Sequence, residues 1–224
     1  MTDQPFFTVV MQVHLGPYKG AAEDRVSKFH RAIESVIAQT FTGWELVVIV
    51  DGCEIAWQEL QRYTTSPHRI RFFKIPKKRQ WSPEVRNTGL NLALGKYAIY
   101  LDADDRYGPG HLETVSKGLI AHGLPLWAVV DELTWQDGQW MTRMVEPLLL
   151  NKKETGWHAG TANIVHRLSA KILWPDIEFR HPHFGYGKED RAFVNELEYH
   201  ADPVYIPGSE YFVMHVPGAS GYDL

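Results

Sequence analysis

The stretch YAIYLDADD, residues 97–105, decides the fold because it joins a short apolar run to three carboxylates, Asp102, Asp104 and Asp105. The apolar part is long enough for one buried strand. Ligands of open α/β sheets bind where such strands end. Carboxylates crowded there repel one another unless a cation neutralises them, and oxygen ligands suit Mg²⁺ or Mn²⁺ together with substrate phosphates. An acidic turn before the helix that opens at Pro109 is the simpler alternative.

Strand and helix patterns alternate on both sides of this stretch. Leu46 to Val50 is a continuous apolar run, typical of a strand buried on both faces. Asp24 to Gln39 carries apolar residues at helical spacing. The predicted strands are 6–13, 46–50, 70–75, 97–101, 126–130, 162–166, 204–206 and 211–215, and the predicted helices are 24–39, 55–63, 83–95, 109–123 and 189–198. The alternation predicts an α/β fold with a Rossmann-like, mostly parallel, doubly wound sheet.

The pattern changes after Asp131. A hairpin is predicted at 134–141, turning at Asp137-Gly138, and a polar loop at 146–161. We therefore expect a single domain over 1–224. Its first half, 1–131, would bind a nucleotide, and its second half, 132–224, would be an α+β region that shares the sheet.

Composition narrows the class of protein. The 224 residues have a formal net charge of −4 and one cysteine, Cys53, which excludes an internal disulfide framework and a cysteine-based zinc cage. No apolar run approaches the roughly 20 residues of a membrane span. The N-terminus has no basic segment typical of a signal peptide, so we expect a cytoplasmic protein.

Basic residues cluster in one part of the chain. Seven lysines and arginines fall between Arg69 and Arg86. This cluster is either a solvated strand edge and loop, or a surface for the phosphates of a donor or an acceptor.

Three further candidates lie near predicted element ends. Asp51 follows a buried strand and could accept from a base N–H or a ribose hydroxyl, or be a turn residue. Arg86 lies on the helix before the acidic strand, near the same cleft or on the surface. Glu189 and Asp190 begin a late helix, where they could supply a general base or be stabilised by the helix dipole.

Several ordered motifs together resemble family 2 glycosyltransferases of GT-A fold. They are AIESVIAQTF at 32–41, WEL at 44–46, VDG at 50–52, RNTGLN at 86–91, GKY at 95–97 and the acidic run. The Gln-x-x-Arg-Trp element of processive synthases is absent, so a cellulose- or hyaluronan-type synthase is not expected.

The resemblance implies roles for the donor-side residues. Asp51 would contact the nucleotide base, often uracil, and Arg86 would lie near that base or the diphosphate. Asp102 and Asp104 would form the DxD motif, with Asp104 meeting the ribose or the metal. Asp105 would take a metal position, because some members of the family use the last aspartate of such a run.

The resemblance also implies roles later in the chain. Asp190 matches the catalytic base, and His215 resembles a late histidine that completes the metal shell. Glu189, His158 and His183 are acceptor-side candidates.

The implied function is a metal-dependent, inverting transfer from a nucleotide-sugar, a UDP-sugar, to an acceptor hydroxyl, with Mn²⁺ or Mg²⁺ as cofactor. The acceptor would be a glycan or a lipid-linked sugar, and the basic cluster leaves room for a modified nucleic acid as an alternative that is not favoured. A non-catalytic nucleotide- or carbohydrate-binding module of the same fold also stays open. A nucleotidyltransferase would need a glycine-rich phosphate loop that Gln12 to Tyr18 does not supply.

Overall fold

A seven-stranded sheet forms the centre of the protein in a computed structural model, which describes residues 4–17, 24–78, 83–136, 139–143, 159–175 and 188–214. Its strands are β1 (Phe7–Val13), β2 (Trp44–Asp51), β3 (Ile70–Ile75), β4 (Tyr97–Tyr100), β6 (Trp127–Val130), β9 (Ile164–Arg167) and β10 (Val204–Ile206). Across the sheet, their order is β10-β6-β9-β4-β1-β2-β3. Four of the six neighbouring pairs are parallel, and β9 is antiparallel to β4 and β6. The expectation of a mostly parallel sheet shared by both halves of the chain is confirmed.

Helices cover both faces of this sheet. They are α1 (Arg25–Ile37), α2 (Glu54–Leu60), α3 (Pro83–Leu92), α4 (His111–Ala121) and α5 (Lys188–His200). Helices α1, α2 and α4 bury their apolar residues in one large core, while α3 and α5 pack on the opposite face. Strand β1 shows why, since Val9 and Met11 face the first core and Val10 faces the second.

A second sheet was not expected from the sequence. Its strands are β5 (Arg106–Tyr107), β7 (Glu132–Gln136), β8 (Gln139–Arg143) and β11 (Tyr211–Val213). Across this sheet, their order is β5-β11-β7-β8. The hairpin prediction is confirmed by the antiparallel pairing of β7 with β8. Strand β11 pairs with β5, directly after the acidic motif, so this sheet braces that motif from the late part of the chain.

Element boundaries moved by a few residues, and some predictions fall outside the described ranges. The predicted helix 55–63 ends as a 3₁₀ turn at Gln61–Tyr63, and the strand predicted at 162–166 runs over Ile164–Arg167. The loop predicted at 146–161 is described only from 159 on, where Thr161–Asn163 forms a 3₁₀ turn. The candidates His158, His183 and His215 lie outside the described residues. Within the described ranges, no helix is long and apolar enough to cross a membrane.

Candidate active site

Asp51 ends β2 at the carboxyl edge of the main sheet, where its side chain is nearly buried. Its carboxylate accepts from the ammonium of Lys77 and, at 2.6 Å, from the backbone N–H of Lys78. The His14 ring, just beyond β1, lies 2.9 Å through Nδ1 from the Asp51 carbonyl. Since a carbonyl oxygen only accepts, Nδ1 is the donor. Strand ends β1 and β2 therefore join in one polar site, and the role of Asp51 in contacting the base stays a prediction.

The basic cluster between Arg69 and Arg86 is largely paired with acidic side chains. Lys77 pairs with Asp51, and the other pairs are Lys74 with Glu54, Lys78 with Glu84 at 2.7 Å, and Arg71 with Glu45 at 3.2 Å. Each cation that a carboxylate neutralises adds little to a field that attracts phosphates. The pairing favours the first reading of this cluster, a solvated strand edge and loop.

Asp105 is the most buried carboxylate of the acidic motif, with 4% of its surface exposed. Its Oδ2 accepts from the hydroxyl of Tyr211 at 2.9 Å, and its Oδ1 accepts from the backbone N–H of Met214 at 2.7 Å. Burial and the charges of Asp104 and Asp102 hold the pKa of the Asp105 carboxyl well above its ordinary value. Because each oxygen accepts from a protein group, these contacts fix the carboxylate and give Asp105 a bracing role, while its place in a metal site stays a prediction.

The neighbouring carboxylates fit a cation better. Asp102 and Asp104 are partly exposed, and both repel charge on Asp105. A divalent cation would offset that repulsion, and carboxylate oxygens are its preferred ligands. Among the described residues, no group of three acidic, histidine or cysteine side chains could hold a metal by itself. A cation would need oxygens of the donor or residues outside the described ranges, such as His215.

Asp190 lies in the first turn of α5 and is held by a side chain from another element. The Thr161 hydroxyl donates to Asp190 Oδ1 at 2.6 Å. The same hydroxyl accepts from Arg86 Nη2 at 3.2 Å. Arg86 is thus brought to the predicted base. The structure describes no contact between Arg86 and Asp51.

Aromatic packing fixes this group beside the acidic strand. The Arg86 guanidinium lies over the Trp174 ring at 4.5 Å, and Phe193, one turn after Asp190 on α5, stacks on the same ring at 4.1 Å. Trp174 donates from Nε1 to the Tyr100 hydroxyl at 2.9 Å. Tyr100 ends β4, two residues before Asp102. The chain of contacts therefore connects Asp190 to the strand that carries the acidic motif.

Glu189 is nearly buried beside this group. Burial raises the pKa of its carboxyl, the charge of Asp190 raises it further, and Arg86 lowers it. Its acceptor-side role stays a prediction, as do those of His158 and His183.

The sequence matches the model of a known protein family, described as "Glycosyl transferase family 2", over residues 24–163. The chain belongs to glycosyl transferase family 2. The matched range contains Asp51, Arg86, Thr161 and the acidic motif, so the predicted family is confirmed.

Relatives of this family 2 chain support the fold. This chain is 37% identical over 96 residues to the "Putative colanic acid biosynthesis glycosyl transferase WcaA" of Escherichia coli K12. The match covers 41% of this chain and 34% of that protein. The crystal structure of Staphylococcus aureus TarS 1–349 in complex with UDP-GlcNAc superposes with a TM-score of 0.69 at 16% identity, covering 97% of this chain and 61% of that one. The mannosyltransferase PcManGT of Pyrobaculum calidifontis, in complex with GDP-Man and Mn²⁺, superposes with a TM-score of 0.65 at 14% identity, covering 99% and 59%. The GT-A fold is confirmed, and the chain spans about a third of the length of the first curated relative.

Three residues of the site were missed in this family 2 sequence. The sequence places Thr161 in a predicted loop and Tyr211 in a predicted strand, and no motif marks Trp174. Each acts across at least 74 positions of sequence or through a partner on another element. No local pattern marks a threonine or tyrosine as the partner of a distant carboxylate.

Proposed function

We propose that this chain is the catalytic region of a metal-dependent, inverting glycosyltransferase that moves a sugar from a UDP-sugar to an acceptor hydroxyl. In this proposal residues 1–131 bind the donor and residues 132–224 bind the acceptor. The family membership supports nucleotide-sugar chemistry, and the finer assignments rest on the side chains described above.

Asp51 is the base-reading residue of the proposal. A carboxylate offers about four lone-pair directions, so Asp51 can keep its contacts with Lys77 and Lys78 and still accept from the N3–H of uracil. Two donors on its oxygens fix the plane of the carboxylate before the nucleotide arrives. A fixed acceptor discriminates better than a mobile one, because the wrong base leaves it with an unmet hydrogen bond.

Asp102 and Asp104 would hold Mn²⁺ or Mg²⁺ together with the donor diphosphate. When bound, such an ion supplies positive charge that stabilises the negative charge developing on the leaving phosphate. The chain's own contribution is to keep these carboxylates in place. Tyr211 supports the backbone that carries them, accepting from the Asp102 N–H at 3.1 Å while donating to the Asp105 carboxylate.

Asp190 is the proposed general base. It takes the proton of the acceptor hydroxyl while that oxygen forms a bond to the anomeric carbon. The bond from this carbon to the diphosphate oxygen breaks at the same time, and its electron pair leaves with the nucleoside diphosphate. Attack from the face opposite the leaving group inverts the anomeric carbon. A positioned base contributes about 10²- to 10⁴-fold in rate.

The observation that carries the proposal is the chain of contacts from Asp190 through Thr161, Arg86 and Trp174 to Tyr100. It places a carboxylate of the second half of the chain beside the strand that carries the acidic motif of the first. A binding module would need no carboxylate held in this way. The acceptor is a glycan or a lipid-linked sugar, since the paired basic cluster gives little support to a nucleic acid acceptor.

The experiment is release of nucleoside diphosphate by the 224-residue chain. UDP-GlcNAc, UDP-glucose and GDP-mannose are supplied with Mn²⁺, with water or simple glycosides as acceptors. The proposal expects release from a UDP-sugar and none in EDTA. Binding of nucleotides without release from any donor supports the non-catalytic module instead.

A further inference from the structure

Among the described residues, hydrogen bonds hold the Asp190 carboxylate through one of its two oxygens. Oδ1 accepts from the Thr161 hydroxyl at 2.6 Å. Oδ2 lies next to Gly160, where an added Cβ would be in van der Waals contact with it at 3.9 Å. Gly160 has no side chain to cover Oδ2, and Asp190 is partly exposed, so a second molecule could reach this oxygen.

The direction of the Thr161 proton is set by its two partners together. A guanidinium has only donors and an ionised carboxylate only acceptors, so the hydroxyl accepts from Arg86 Nη2 and donates its single proton to Asp190 Oδ1. A threonine without this cation could rotate its hydroxyl away. The pair thus makes Thr161 a one-way donor to Oδ1.

Both members of the pair are themselves fixed. Arg86 is 4% exposed and its guanidinium carbon lies 4.5 Å from the centre of the Trp174 ring. The turn that carries Thr161 is tied to the end of β6, because Asn163 donates to the Val130 carbonyl at 3.0 Å and accepts from the Gly160 N–H at 3.1 Å. Neither side chain can follow Asp190 if that carboxylate rotates.

We propose that Thr161, oriented by Arg86, is a positioning residue that holds Asp190 Oδ1 so that Oδ2 takes the proton of the acceptor hydroxyl. This inference rests on the proposed function, because it requires Asp190 to be the base. Thr161 touches no reacting atom. Its effect is to hold one rotamer of Asp190, and misplacement of a reacting group by about 1 Å can cost 10²-fold in rate.

Two substitutions at one position separate the hydroxyl from the bulk of the side chain. Thr161→Val keeps the branched shape and removes the hydroxyl, and Thr161→Ser restores the hydroxyl in a smaller side chain. Release of UDP from the best UDP-sugar with Mn²⁺ is the readout. We expect Thr161→Val to lower kcat by about 10- to 100-fold with an unchanged KM for the donor, and Thr161→Ser to recover most of the rate.

A matched control lies on α3. The Thr88 hydroxyl bonds the Glu84 carbonyl within its own helix at 2.7 Å, so Thr88→Val makes the same chemical change away from Asp190. Its kcat should equal that of the parent. A melting temperature for every variant shows whether any loss of rate follows a loss of fold.

A double-mutant cycle decides whether Thr161 acts through Asp190. In an Asp190→Asn background, Thr161→Val should cost nothing further, because the proton acceptor is already gone. The inference is overturned by a fully active Thr161→Val variant, by failure of serine to rescue, or by a loss that persists in the Asp190→Asn background. Full turnover by Asp190→Asn alone overturns the proposed base as well, whereas an inactive Asp190→Asn beside an active Thr161→Val overturns only the role of Thr161.

Discussion

The Tyr211 hydroxyl donates to Asp105 Oδ2 at 2.9 Å, which joins the last described strand to the acidic motif. The Tyr211 hydroxyl oxygen also accepts from the Asp102 backbone N–H at 3.1 Å. One phenol therefore fixes the backbone at the first aspartate of the motif relative to the carboxylate of the last. This contact requires the Asp105 carboxyl to be buried. Burial and the charges of Asp104 and Asp102 hold the pKa of that carboxyl well above its ordinary value.

Removal of this brace should weaken both the fold and the site. In Tyr211→Phe, a buried carboxylate oxygen and a backbone N–H each lose a partner, so we expect the free energy of unfolding to fall by about 1–3 kcal/mol. We also expect a higher Mn²⁺ concentration for half-maximal activity. Urea unfolding and a Mn²⁺ titration measure the two effects. Tyr199→Phe, at an 85% exposed position, is the control and should change neither.

Activity should depend on a divalent cation. EDTA is expected to abolish release of UDP, and Mn²⁺ or Mg²⁺ to restore it, because Asp102 and Asp104 would otherwise face the donor diphosphate with like charge. Asp104→Asn should raise the Mn²⁺ requirement further. Undiminished activity in EDTA would remove the metal from the proposal.

Asp51 should make the site selective for uridine. UDP is expected to raise the melting temperature more than GDP or CDP at equal concentration, through preferential binding to the folded state. Asp51→Asn should reduce the difference between the nucleotides, because an amide can offer either a donor or an acceptor to the base. Equal shifts from all three nucleotides in the parent protein would contradict a base-reading role.

Acid should destabilise the protein partly through His111. Its ring stacks on Tyr107 at 4.1 Å, both ring nitrogens are buried without a partner among the described residues, and burial lowers its pKa to about 3. The folded state therefore favours the neutral ring. The contribution of His111 to the free energy of unfolding is fully present above its pKa in the unfolded chain, about 6.5. It is lost as the pH falls towards 3.

His111→Phe tests that pH dependence. At pH 5 the folded protein binds one proton fewer at His111 than the unfolded chain does. Through this group, the free energy of unfolding should be about 2 kcal/mol lower at pH 5 than at pH 7.5. Urea unfolding at both pH values should show a loss smaller by that amount in the variant. An identical loss in parent and variant would show that His111 does not contribute.

The sequence predicted what local patterns determine. The apolar run at 46–50 forms the centre of β2, and the acidic run follows β4 as expected from the strand that precedes it. Local patterns did not predict that β9 lies antiparallel between β4 and β6, since strand pairing depends on distant partners. Arg86 illustrates the same limit within the site, because its helix was predicted but its contact with Thr161, 75 positions later, was not.

The central claim is that Asp190 is the base. Asp190→Asn keeps the size of the side chain and an oxygen that can accept from Thr161, but it cannot take the acceptor's proton. We expect a single-turnover rate about 10² or more below that of the parent, with donor affinity and melting temperature nearly unchanged. Glu189→Gln, one residue away, should show a smaller loss of rate. An Asp190→Asn enzyme that transfers sugar at nearly the parent rate would contradict the account.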